Sequence, residues 1–113
     1  SSGSIIGHSS EIKNSLLLAK SSAPHFNYVG DSILGYGANI GAGVKIANLR
    51  NDYKSILVNN DSEYIDTNIH KLGSLIGDGV RIGCNSVCNP GAIIYSDMAF
   101  PPNSTISGLN KEG

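Results

Sequence analysis

From Ile76 onward the chain carries an apolar residue every six positions: Ile76, Ile82, Cys88, Ile94, Phe100 and Ile106. Four positions after the first five of these marks stand Val80, Ser86, Ala92, Met98 and Ser104, small in four of five cases. An amphipathic helix needs apolar positions about 3.6 apart, and a half-buried strand needs alternation by two. A period of six fits neither. It predicts an all-β hexapeptide-repeat parallel β-helix, in which each short segment points one large and one small side chain inward. Three hexads close one triangular coil, so the chain predicts about five coils, stacked ~4.8 Å apart by parallel strand pairing.

Upstream, Ile6, Ile12 and Leu18 keep the same step, with Ser10, Leu16 and Ser22 at the small position. Val29 follows eleven residues after Leu18, and Leu34, Ile40 and Ile46 come at five, six and six. The register is therefore expected to slip between Ser21 and Leu34, in the segment SAPHFNYVGDS. Breaks in local consistency are where function is sought. Asn48 to Tyr53 is polar, and Lys54 to Val58 reads as a returning strand. The run NNDSEYIDTNIHK, 59–71, has no hexads and reads as a loop projecting from the coils, or a short hairpin turning at Asn60-Asp61. The expected organisation is a linker or appended segment at 1–4, a β-helix domain at 5–108 with a loop insertion at 59–71, and a polar tail at 109–113. A start inside a repeat leads us to expect a piece of something longer.

Composition narrows the partners. One domain fits 113 residues. Apolar content of 40% without Trp argues against a large core built on rings, and 14 Gly suits many tight corners. A net charge of −1 offers no basic face for phosphate backbones, so nucleic acid is not an expected partner. No apolar run approaches the roughly 18 to 20 residues that span a bilayer, and no leader pattern opens the chain. We therefore expect no membrane partner and a cytoplasmic location. Cys84 and Cys88 are four apart with no second pair, too few donors for zinc, so no metal is expected; Cys88 sits on an inward mark as a small hydrophobe.

The run HFNYVGDSILGYGANIGAGVKIANLR, followed by KLGSLIGDGVRIGCNSVCNPGAII, resembles the C-terminal acetyltransferase domain of the bifunctional UDP-N-acetylglucosamine pyrophosphorylase/glucosamine-1-phosphate N-acetyltransferases. The sequence ANLR and the interruption before KLGSLIGDG look most like the archaeal-type sugar-1-phosphate nucleotidylyltransferases that carry this domain. Hexads alone are weakly specific; HxxYVGD with NIGAG at this spacing is more so. The resemblance implies a left-handed helix, against the usual right-handed crossover, a homotrimer with sites between subunits, and a nucleotidyltransferase domain ahead of this one. It implies transfer of acetyl from acetyl-CoA, as co-substrate, to the amino group of an amino-sugar 1-phosphate. A non-catalytic trimerising domain is the alternative.

Residue by residue, the resemblance makes His25 the general base, a role suited to an imidazole that titrates near neutrality. From the residues alone an exposed histidine at a repeat break is the plainer reading, and the run HFNYVGD tips it toward catalysis. Lys13 matches a lysine that binds the sugar phosphate, and Tyr28 and Asn39 match positions that contact the sugar phosphate and sugar. Asn48 matches an asparagine at the reacting centre. Lys54 aligns with a lysine after the following loop, which is shorter here, at Leu49-Arg50-Asn51-Asp52, than in the usual bacterial form. A solvated charge is the simpler account of Lys54; a solvated outward lysine competes closely with the phosphate role at Lys13, and a corner asparagine competes strongly at Asn39. Ala42, Cys84 and Ala99 are placed by analogy along the coenzyme A path, and Lys111 is the sole cation near the end.

Overall fold

The computed structural model describes residues 2–111. Ser1 of the expected leading segment and Glu112-Gly113 of the expected tail lie outside them. Three five-stranded parallel sheets form the sides of a prism. Sheet A stacks β1 (Ile5–His8), β4 (Ser22–His25), β7 (Asn39–Ile40), β12 (Arg81–Ile82) and β15 (Ala99–Phe100). Sheet B stacks β2 (Glu11–Lys13), β5 (Tyr28–Gly30), β8 (Lys45–Ile46), β13 (Val87–Cys88) and β16 (Thr105–Ile106). Sheet C stacks β3 (Leu16–Leu17), β6 (Ile33–Leu34), β11 (Leu75–Ile76), β14 (Ile93–Ile94) and β17 (Leu109–Asn110). The chain is thus an all-β parallel β-helix, as the six-residue period predicts.

The core is a set of vertical columns. Ala23, Ile40 and Ile82 lie beneath Phe100 in sheet A; Val29, Ile46, Cys88 and Ile106 line sheet B; Leu17, Leu34, Ile76 and Ile94 line sheet C. Most are 0–3% exposed, so each coil caps the apolar side chains of the one below. At about 25 cal/mol per Å² of apolar surface removed from water, this stacking is the main stabilising term of a solenoid.

The structure corrects the upstream register. The inward residue of β3 is Leu17, 6% exposed, whereas Leu18 is 36% exposed. The next mark is Ala23, whose small side chain conceals it in the sequence. No slip occurs at His25 itself. The five-residue step from Val29 to Leu34 is present as read, and a second one, hidden in the sequence, falls at Ile12 to Leu17; both lie on the corner between sheets B and C, so the lower coils repeat every 17 residues, as in Ser22 beside Asn39, and the upper ones every 18, as in Arg81 beside Ala99. Serines occupy the shortened corners. The Ser15 hydroxyl oxygen accepts the Ser32 N–H at 3.0 Å, and the Ser32 hydroxyl oxygen accepts the Ser74 N–H at 2.9 Å. Each side-chain oxygen stands where a peptide carbonyl of a longer corner would bond the next coil.

Between β8 and β11 the chain leaves the prism. β9 (Leu57–Asn60) and β10 (Glu63–Asp66) form an antiparallel hairpin turning through Asp61, which has φ of 63°. Ile56, fully buried, pins its base, and a Lys111–Asp61 ion pair of 2.9 Å links its tip to the last coil. No helix among the described residues is long and apolar enough to cross a membrane.

Candidate functional site

Sheets A and B meet at a corner that turns, coil by coil, on Ser9, Phe26, Gly43, Asn85 and Asn103, all with positive φ. The residue before each is His8, His25, Ala42, Cys84 and Pro102. Their stacking is fixed by backbone bonds of 2.9 Å: His8 O accepts from Phe26 N–H, His25 O from Gly43, Ala42 O from Asn85 and Cys84 O from Asn103. The fold therefore brings His25, Ala42 and Cys84 onto one ledge, a coil apart. His25 ends β4 and is exposed, and its ring makes no hydrogen bond among the described residues. Phe26 beside it is 56% exposed with φ of 52°. A bulky residue in the left-handed region costs about 1–2 kcal/mol, and such strain gathers at functional positions.

One ledge residue was not legible in the sequence. Lys45 opens β8 directly above Tyr28, and its ammonium donates to the carbonyls of Phe26 at 2.8 Å and Gly43 at 2.9 Å. In sequence it is an ordinary outward strand lysine; only the coil-on-coil register places a cation at the His25 turn. Ala99 lies elsewhere. It opens β15, exposed on the flat of sheet A beside Arg81. Asn39 is exposed on the same face, between Ser22 and Arg81.

A second group gathers at the B–C corner. The Asn48 amide donates to the Asp31 carboxylate at 2.6 Å and to the Tyr28 hydroxyl oxygen at 3.1 Å. Gly30 makes room for this: a methyl there would lie 2.5 Å from Asn48 Nδ2 and 2.6 Å from Tyr28 Oη. Lys13, exposed, lies one coil below, with Gly30 as its strand partner. Asp31 belongs to the HxxYVGD run yet was given no role from sequence; the motif was its signal. Lys54 is not part of this group's hydrogen bonding. It is exposed in the insertion, where its N–H, with the Arg50 guanidinium, holds the Asp52 carboxyl below its ordinary range. Arg50 itself is clamped by Asp52 at 3.0 and 2.6 Å.

Above this corner the insertion and the upper coils enclose a groove of about 950 Å³, walled by Leu49, Arg50 and Tyr64 on one side and Asn89, Gly91 and Ser107 on the other. The His25 ledge and the Asn48 group thus flank opposite sides of sheet B. The corner at Phe26 and the short strand Tyr28–Gly30 lie between them.

No protein-family model matches the chain. It is 40% identical over 102 residues to a bifunctional sugar-1-phosphate nucleotidylyltransferase/acetyltransferase of Sulfurisphaera tokodaii, covering 90% of this chain and 25% of that protein. It is 41% identical over 100 residues to the bifunctional protein GlmU of Methanococcus maripaludis strain C7, covering 88% and 24%. Against the protein of the same name from Methanocaldococcus jannaschii the figures are 39% over 92 residues, 81% and 22%. The chain spans about a quarter of the length of these curated relatives. Over that matched segment it belongs with the archaeal bifunctional sugar-1-phosphate nucleotidylyltransferase/acetyltransferases.

Proposed function

We propose that the chain is an acetyl-CoA-dependent N-acetyltransferase acting on an amino-sugar 1-phosphate, with His25 as general base. The observation that carries this reading is the ledge: an exposed imidazole with no competing hydrogen bond, stacked beneath Ala42 and Cys84, whose small side chains leave the corner open for an extended thioester arm. The amine nitrogen attacks the thioester carbonyl carbon. A C–N bond forms, the C–S bond breaks, and the amine proton passes to the His25 ring and then to the departing thiolate. The Lys45 ammonium stands at the same turn, where negative charge on the thioester oxygen or the nucleotide phosphates would be met.

The sugar phosphate is assigned to Lys13, Tyr28 and Asn48, and Asn39 to the sugar. The Asn48 group and His25 stand on opposite edges of sheet B, so the reading joins one edge of this chain to the other edge of a second copy. A neighbouring copy of the chain supplies the other half, in a homotrimer. The surface assigned to that contact is the outer face of sheet C, where Leu16, Ile33 and Leu75 are 51, 42 and 40% exposed and lead up to Ile93 and Leu109. Aliphatic stripes of this length on a monomer mark association surfaces.

The non-catalytic reading is favoured by one fact: the Asn48 amide is already engaged by Asp31 and Tyr28. Coenzyme A thiol release in the presence of glucosamine 1-phosphate separates the two. The wild-type chain should release thiol, and His25→Gln should lower the rate about 10²-fold or more with unchanged unfolding. A rate indifferent to His25 would leave a scaffold.

A further inference from the structure

We propose that His8 and His25 form a two-histidine clip for a divalent first-row transition metal, zinc foremost. The two residues are direct register partners on neighbouring parallel strands, β1 and β4. Neighbouring strands lie about 4.8 Å apart, and partnered side chains leave the sheet on the same side. Both side chains are exposed, and neither ring makes a hydrogen bond among the described residues. The His8 ring meets the Phe26 ring edge-on, centroids 6.1 Å apart at 88°, which keeps it at the corner that follows His25. Phe26 is itself fixed by its N–H on the His8 carbonyl.

Two imidazole nitrogens bound to one zinc ion at about 2.0–2.1 Å lie about 3.3 Å apart in tetrahedral geometry. Rings rooted about 4.8 Å apart come within that separation by side-chain rotation, the His8 ring giving up its edge contact with Phe26. Neutral imidazole suits zinc, nickel and copper and is poor for magnesium or calcium, so the clip should discriminate between these classes. The remaining coordination positions face solvent. Lys45 is tied to the Phe26 and Gly43 carbonyls one coil above, so it is not extended across the space between the two histidines.

Since His25 is the proposed base, an ion held there occupies the lone pair that would take the amine proton. This consequence rests on the proposed function; the binding itself does not. Calorimetric titration of the chain with zinc chloride should show one ion per chain. His8→Ala and His25→Ala should each weaken it by about tenfold or more, because the second donor acts at high effective concentration on a rigid sheet. His70→Ala, whose ring faces the Tyr53 carbonyl in the insertion, should bind as the wild type does, and magnesium should not compete. Both clip side chains are exposed, so circular dichroism should show folded variants. If folded His8→Ala binds zinc as tightly as the wild type, the clip is wrong. In the thiol-release assay, zinc should inhibit the wild type at least tenfold more potently than His8→Ala. Equal inhibition of the two would likewise overturn it, whereas lost zinc binding with no acetyl transfer in any variant would sustain the clip and defeat only the enzymatic reading.

Discussion

Replacing Gly30 by alanine separates structural from functional accounts of the Asn48 group. The added methyl would stand 2.5 Å from Asn48 Nδ2 and 2.6 Å from Tyr28 Oη, about 1 Å inside ordinary contact. Both atoms end side chains, so they swing aside rather than move the backbone. What is lost is the 2.6 Å bond to the Asp31 carboxylate and the 3.1 Å bond to Tyr28. A charge-assisted bond and a neutral one together are worth about 2–4 kcal/mol when buried. The group is half-buried, and water replaces part of the loss, so about 1–2 kcal/mol is expected. Urea unfolding followed by circular dichroism measures that loss. In the thiol-release assay the same variant should raise KM for the sugar phosphate about tenfold, with a smaller change in kcat, because substrate positioning is disturbed and the His25 ledge is not. Gly73→Ala gives the contrast: its methyl would overlap the Gly30 carbonyl and the Ser32 hydroxyl, and the coil itself should fail. If Gly30→Ala loses stability as expected yet keeps its KM, Tyr28 and Asn48 are structural. If stability is unchanged, the hydrogen-bonded group contributes nothing, and the reasoning from its geometry is refuted.

Two further outcomes follow from the columns. Burial pushes the Cys88 thiol up to about 12 from 9.0. The folded state keeps a proton that the unfolded chain loses, so this stabilisation is full below pH 9 and declines toward pH 12 by about 1.4 kcal/mol per pH unit. Cys88→Val should abolish most of that alkaline decline, and a native thiol titration should count Cys84 alone, both thiols reacting only in denaturant; an unaltered alkaline decline would contradict the burial argument. On sheet C, Ile33→Asp with Leu75→Asp should leave the coils folded, since both side chains project outward; the proposed trimer should sediment as three chains in the wild type and as one in this variant. A mass unaffected by both charges would put the contact on another face.

Much of this fold is written in the period of its apolar residues. Ile76, Ile82, Cys88, Ile94 and Ile106 are buried where six-residue spacing puts them, because each coil offers the same inward slot to its successor. The reading failed at Leu18 and Ala23 for two linked reasons. Six residues from Ile12 the count lands on Leu18, although the short corner turns its neighbour Leu17 inward, and Ala23 carries too little hydrophobic signal to reveal the error, so the short step was placed between Leu18 and Val29. The irregularity that directed attention to His25 was therefore an artefact of register; the HxxYVGD run is what pointed there.

Composition and spacing by themselves determined a thin, corner-rich parallel β-helix with an interruption at 59–71, since any inward column must repeat with the coil. They did not determine which residues share an edge. That His25 stands beneath Ala42 and Cys84, that Lys45 reaches its turn, that Ala99 does not, and that Asn48 is held by Asp31 across sheet B from that ledge depend on coil lengths of 17 and 18 and on where each corner is shortened. Reading a shortened corner one residue out of place exchanges inward for outward positions until the register is regained, so those neighbours were decided only when the coils closed.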